Sequence, residues 1–433
     1  MNATSERIIR ILLTALLVAA AIFVAATAYF LRLAKTEYTF FTTFVSVTVL
    51  HLRLRHTLSE LALLAVSTAA LVAVAARGDH FPPGAPLCLT CVGLASLATL
   101  AIRTVWSSND RRAVIAWGFV AGLTMVCLGW VIPSMLTWVA KANPKGFDLY
   151  LYSFDASLRF QPSFLLGKAF LKWPLFGKVS NAVYMAISSI YMFVFADILL
   201  RELKKAKPIF LAFLVSGPLG ILFYNLFPAL GPGYLFGGNF PLHPLSASAI
   251  QHLRLEPVRL FGFPNAMPSL HMTWALLAWW CSRGAPRWVR AVTLVFLIFT
   301  VLSTLGTGEH YLVDLVVAMP FSLMILASFS FLSAWGDAWR IRAIVFGFAA
   351  TVLWMTLLRF QPHLFWISPL IPWTLITLTV AAALLLESQL AISSARTVTS
   401  PTRPKVQEEG PAEVLRADAR PTRISARQWA QKP

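Results

Sequence analysis

Apolar residues gather along the chain into long runs broken by short polar loops, and these runs, not any alternating pattern, set the architecture. They fall at 8 to 31, 38 to 52, 58 to 76, 86 to 105, 113 to 140, 178 to 200, 208 to 226, 269 to 282, 287 to 305, 310 to 333, 341 to 358 and 364 to 387. A helix needs about 20 apolar residues to cross a bilayer, and most of the runs come near that length. The runs at 38 to 52 and 269 to 282 are short; the second can cross only if the polar residues at its start belong to the helix. The pattern predicts an all-α polytopic membrane protein of about 12 transmembrane helices.

The loops give an orientation. Arg53 with Arg55, Arg103 with Arg111 and Arg112, Arg201 with Lys204, Lys205 and Lys207, Arg283 with Arg287 and Arg290, and Arg340 with Arg342 fall at every second loop. Basic residues near span ends stay on the cytoplasmic side, so both termini are expected inside, and residues 141 to 177, 227 to 268 and 306 to 310 outside. The first run follows Arg7 and Arg10 as a signal sequence would, but it is too long for one and reads as an uncleaved span. Within 141 to 177 the spacing of Phe147, Tyr150, Leu151, Phe154 and Leu158 predicts an interfacial helix over 145 to 173. Residues 227 to 268, rich in Pro and Gly, read as a turn-built roof. From Ser393 the chain turns polar and mixed in charge, which predicts a disordered cytoplasmic tail. The expected units are an N-terminal extension of four spans (1 to 112), a core (113 to 333), two C-terminal spans (334 to 392) and the tail (393 to 433).

Composition narrows the class. The chain of 433 residues is 58% hydrophobic and 12% charged, which leaves no room for a sizeable soluble domain. Its net charge of +18 is spread over loops and tail, so it marks membrane sidedness and anionic lipid, not nucleic acid. Cys88, Cys91, Cys127 and Cys281 all lie in apolar runs and read as packing residues.

Two helix mouths carry the candidate chemistry, because ionisable groups bordering hydrocarbon are costly and need a reason. One runs Pro268-Ser269-Leu270-His271; the other runs Thr307-Gly308-Glu309-His310-Tyr311-Leu312-Val313-Asp314. His310 and Asp314 are four apart on one helix face, so the carboxylate can orient the imidazole and leave the other nitrogen free as a nucleophile toward phosphorus. His271 is placed to protonate a leaving oxygen and later to activate an acceptor. Ser269 sits at a helix N-terminus that favours a phosphate anion, and Gly306 and Gly308 allow backbone close to it. Two His and one carboxylate lack the short ligand spacing of a zinc site, so no metal and no cofactor is expected.

Pro268-Ser269-Leu270-His271, together with Ser303-Thr304, five residues, His310, three residues and Asp314, resembles the second and third signatures of the type 2 phosphatidic acid phosphatase (PAP2) superfamily. The ordinary phosphatases carry Pro-Ser-Gly-His and Ser-Arg in these places. Leu270 and Thr304 depart from that pattern and resemble the inositol phosphorylceramide synthase branch. The resemblance spans about 113 to 333 and implies a six-helix core, with His310 as nucleophile, Asp314 as its orienter, His271 as acid and base, and Ser303 beside the phosphate. Where the first signature would stand, the chain has Asn225 to Tyr234, with Pro228, Gly231, Pro232 and Tyr234. Because no threonine replaces a guanidinium clamp, another cation is needed; Arg254, Arg259, Lys168 and Lys172 are the candidates.

The function expected is a lipid phosphotransferase acting at the extracytoplasmic face through a phosphohistidine, with a lipid phosphate or phospholipid as donor and a hydroxyl compound as acceptor. If water is the acceptor, the same residues make a lipid phosphate or prenyl diphosphate phosphatase. A transporter or scaffold is the reading from another class. It would need mid-span polar groups, and the one charged candidate, Asp197, lies near the inner end of its run.

Overall fold

The computed structural model describes residues 38–54, 56–75, 85–107, 109–259, 261–330 and 335–399. The expected first span at 8 to 31 and the tail beyond 399 lie outside them. The N-terminal helices are α1 (Tyr38–Arg53), α2 (Leu58–Ala75), α3 (Ala85–Trp106) and α4 (Asn109–Ala142). Helices α1, α3 and α4 pack closely, and a Cβ on Gly93 would stand 2.6 Å from the backbone oxygen of Phe44. Small residues at such crossings let backbones approach where no water drives the association.

The centre of the chain breaks into shorter pieces: α5 (Asp148–Ser157), α6 (Pro162–Lys172), α7 (Pro174–Tyr184), α8 (Ile187–Arg201) and α9 (Leu203–Leu226). The roof between α9 and the next long helix holds α10 (Pro232–Phe236) and α11 (Ala247–Gln251). It is tied down by a two-residue antiparallel pairing of β1 (Lys145–Gly146) with β2 (Val258–Arg259). Then follow α12 (Leu270–Cys281), α13 (Arg287–Gly306), α14 (Leu312–Ser328), α15 (Ala338–Phe360), α16 (Leu364–Ile367) and α17 (Leu370–Thr399).

Six of these helices are long and apolar enough to cross a membrane, and a seventh crossing appears if α7 and α8, bent by 50°, count as one. That supports an all-α membrane protein. The expected count of twelve is not reached among the described residues. The runs at 38 to 52, 58 to 76, 269 to 282 and 310 to 333 became helices of 16, 18, 12 and 17 residues. Of these, α14 is buried along almost its whole length, packed between α12, α15 and α17. A Cβ on Gly347 of α15 would stand 2.5 Å from the carbonyl oxygen of Pro320 in α14. The last helix continues to Thr399, past the point where the polar composition predicts disorder.

The segment expected as one surface helix over 145 to 173 is two helices. Leu158 to Gln161 separate them, Arg159 takes φ 61°, and Pro162 opens α6. A proline is comfortable at a helix start but not inside one, and it pushes the preceding residue out of the helical region. Nor does α5 lie flat on a surface: eight of its ten residues are buried, against α10, α11, α14, α15 and α16. This insertion brings two aspartates to the helix mouths.

Candidate active site

The mouths of α12 and α14 meet. Ser269 caps α12, its Oγ accepting from the Met272 N–H at 3.3 Å. The Ser269 N–H in turn reaches the Asp314 carbonyl at 3.4 Å, which joins the two helix starts. His310 is fixed through its backbone, donating to the Thr304 carbonyl at 3.1 Å and accepting from Ser163 Oγ of α6 at 3.0 Å.

The two ring nitrogens of His310 face different groups, and Nδ1 is buried without a hydrogen bond of good geometry among the described residues. Nδ1 stands 3.4 Å from Asp314 Oδ2, within ion-pair reach though longer than a strong hydrogen bond. Nε2 stands 3.2 Å from Ser269 Oγ. With the carboxylate beside Nδ1 the proton belongs there, so Nε2 carries the lone pair and accepts from the serine. His271 approaches from α12, its ring centroid 6.5 Å from that of His310. Its Nδ1 is 3.0 Å from the Tyr184 hydroxyl, and the Tyr184 ring stacks on it at 4.2 Å. His310 and Asp314 thus meet Ser269, 41 residues from His310 in the chain, and its neighbour His271.

Behind this pair lies an acidic layer. Asp155 of α5 accepts from the N–H groups of Leu312 at 2.8 Å and Val313 at 3.3 Å, capping the start of α14 from another helix. Asp314 accepts from the Tyr311 N–H at 2.8 Å. Asp148 accepts from the N–H groups of Leu230 and Gly231 at 3.1 and 2.9 Å and from the Tyr311 hydroxyl at 3.2 Å. Each carboxylate answers the orphan donors of a helix start or turn. Burial pushes Asp148 up to about 7 and Asp155 up to about 8; the nearby Asp314 charge adds to this, and the backbone donors oppose it.

The roof is held to the His310 loop backbone against backbone. The Gly233 N–H donates to the Gly308 carbonyl at 2.8 Å. Gly231 has φ 150° and Gly308 φ 77°, and a Cβ on Gly231 would fall 2.4 Å from the Glu309 carbonyl oxygen. No other residue fits there. Pro232 is buried in α10, and the Tyr234 hydroxyl donates to Glu309 Oε1 at 3.3 Å. Burial raises Glu309, and burial with the Glu309 charge pushes Tyr234 up to about 12, so the phenol stays a donor.

The remaining sequence candidates sit as follows. Ser303 is fully buried, and its Oγ has no hydrogen-bond partner among the described residues. Thr304 turns its hydroxyl into its own helix, donating to the Thr300 carbonyl at 2.8 Å. Gly306 makes room for the Phe170 ring, not for an anion. Of the four candidate cations, Arg259 is exposed on β2 over the Phe261 ring and Lys172 lies over Trp173; Arg254 and Lys168 are exposed. None of the four makes a contact with either histidine among those described. Asp148, Asp155 and Tyr184 escaped the sequence reading. The two aspartates had a signal, being seven apart and hence on one face of an otherwise apolar helix. Tyr184 had none.

No curated protein and no solved structure matches the chain. The stretch carrying α5 through α14, residues 149–328, matches the family model of the PAP2 superfamily, a family of lipid phosphatases and phosphotransferases, and this match supports placing the two-histidine core in that superfamily.

Proposed function

We propose that the chain is a membrane-embedded lipid phosphotransferase that works through a phosphohistidine at His310, at the extracytoplasmic ends of its helices. The observation that carries this reading is the facing pair of histidines, each backed by its own partner: Asp314 behind His310 and Tyr184 behind His271. In the first step Nε2 of His310 attacks phosphorus, the N–P bond forms, and the P–O bond to the lipid breaks. Asp314 stabilises the charge on the imidazole. The departing oxygen takes its proton from His271, whose imidazolium the bound phosphate charge favours. In the second step the acceptor hydroxyl gives its proton to His271, its oxygen bonds to phosphorus, and the P–N bond breaks.

Phosphate contacts on this reading come from the Ser269 hydroxyl, the unpartnered Ser303 hydroxyl and the start of α12. The synthase-like signatures, with Leu270 and Thr304 in place of glycine and arginine, favour a hydroxyl acceptor over water. Incubation of the purified protein with a radiolabelled lipid phosphate, with and without polyol acceptors, tests this. Transfer of label to the polyol is expected, and release of free phosphate in every case would leave hydrolysis alone. His310→Gln is expected to lower turnover by roughly 10⁵-fold or more without changing expression. Unchanged lipid phosphate chemistry in that variant would refute the assignment.

A further inference from the structure

A cavity of about 200 Å³ runs from His271 toward the N-terminal extension, outside the stretch that matches the superfamily. His271 and Trp274 of α12 close one side, Ile221 of α9 another, and Leu128, Ile132 and Leu136 form a stripe along one face of α4. Their spacing of four puts all three on that face. The wall is stiff, since a Cβ on Gly129 would stand 2.9 Å from the Thr43 side chain of α1, so α1 and α4 are in close contact there.

Polarity is unevenly spread. Of the hydroxyls beside the wall, Ser188 is used within the protein, donating to the Thr42 carbonyl at 3.1 Å. At the His271 end, Asn265 Oδ1 is buried without a hydrogen-bond partner among the described residues, an acceptor left for a ligand. A cavity whose one buried side-chain polar atom without a partner, among the described residues, is that of Asn265 is poorly suited to water and well suited to hydrocarbon joined to a polar group.

We propose that helices α1 and α4 wall a chamber that holds one hydrocarbon chain of the lipid substrate, and that the α4 stripe sets which chain lengths are accepted. The inference rests on the proposed lipid phosphate chemistry, because it supplies the chain that such a substrate carries. It gives α1 and α4, which precede the stretch matching the superfamily, a part in substrate selection in addition to packing.

The full-length protein in lipid nanodiscs is given lipid phosphates of short and long acyl chain and, separately, a lipid phosphate with a diazirine at its chain end. Photolabelling is expected on peptides of α1 and α4 and is competed by unlabelled long-chain lipid. Ile132→Trp or Leu136→Trp, which fill the chamber, lower kcat/KM for the long chain by about tenfold or more relative to the short one. Leu128→Ala shifts the preference the other way and keeps the proposal testable if a tryptophan variant does not fold. Val131→Trp, on a neighbouring position that is 46% exposed, leaves the chain-length ratio as in the wild type. Labelling that avoids α1 and α4, or tryptophan variants that lower both chain lengths equally, would overturn the proposal. A wild-type protein that turns over none of these lipids overturns the proposed reaction instead, while photolabelling, which needs no turnover, still decides the chamber.

Discussion

The end of the helix bundle that carries His310, outer on the expectation from the loop charges, and the opposite end, inner on the same expectation, treat buried carboxylates in opposite ways. At the inner end each is matched with a guanidinium: Asp197 lies 2.9 Å from Arg53 and 2.6 Å from Arg201, Glu60 lies 2.8 Å from Arg103, and Glu387 pairs with Arg283. At the outer end Asp148, Asp155 and Asp314 have no Lys or Arg within ion-pair reach among the described residues. They are held by backbone N–H groups, a tyrosine hydroxyl and one imidazole. A carboxylate neutralised by arginine is finished chemically and serves packing. One held by dipoles keeps its influence for a neighbouring titratable group. The same residue type thus fastens helices at one end and biases a histidine at the other.

The contrast breaks most visibly at Asp314. Asp314→Asn keeps the shape of the site but removes the charge that orients the imidazole, so turnover of a lipid phosphate is expected to fall by roughly 10³- to 10⁴-fold. A drop of less than tenfold would mean that this acid is structural like those at the inner end.

The pH dependence of stability is the next largest effect. The folded-state values of Asp155, about 8, and Asp148, about 7, lie above the ordinary 3.8, so the folded protein holds protons that the unfolded chain has released. Their stabilising contribution is therefore complete below about 4 and is lost as pH rises through about 7 to 8. Melting in detergent should drop across that window, and Asp155→Asn, which keeps an acceptor for the Leu312 N–H, should flatten the slope. An identical slope in the variant would count against it.

At the inner end, Asp197→Ala is expected to cost about 1–3 kcal/mol of stability, since its arginine partners are 31% and 37% exposed and can turn to water. Turnover per folded molecule should match the wild type; a large loss would revive a substrate-path role for this charge. The smallest effect sharpens the comparison on the His271 side. Tyr184→Phe removes one hydrogen bond to His271, worth about 1 kcal/mol or about fivefold in rate, read as a change in kcat with KM held.

Much of the site was legible in the sequence, and particular residues show why. The i, i+4 spacing of His310 and Asp314 and the Ser269-Leu270-His271 start of an apolar run are local patterns, and local geometry carried them into place. Asp155 was harder: it caps α14 from 157 residues away, so its role depends on α5 being inserted into the bundle. The periodicity of that segment, apolar on one side, fits a helix on a membrane surface equally well, and Pro162, which splits it, was there to be read. The span count stays open for a similar reason, because a run such as 269 to 282, which forms the 12-residue α12, reads as a crossing or as a buried core helix depending on what surrounds it.

By itself the sequence determined an all-α membrane-type chain, two polar helix mouths, and the pairing of His310 with Asp314, since all of these follow from hydrophobicity and helix periodicity within short stretches. Only the tertiary structure decided that His271 and His310 face each other, that Tyr184 and Asp155 stand behind them, that the Thr304 hydroxyl turns into its own helix, and that Arg254, Arg259, Lys168 and Lys172 make no contact with either histidine among those described. Those facts depend on how helices distant in sequence cross and how deeply a connecting segment is buried. Packing sets both, and no local pattern encodes either.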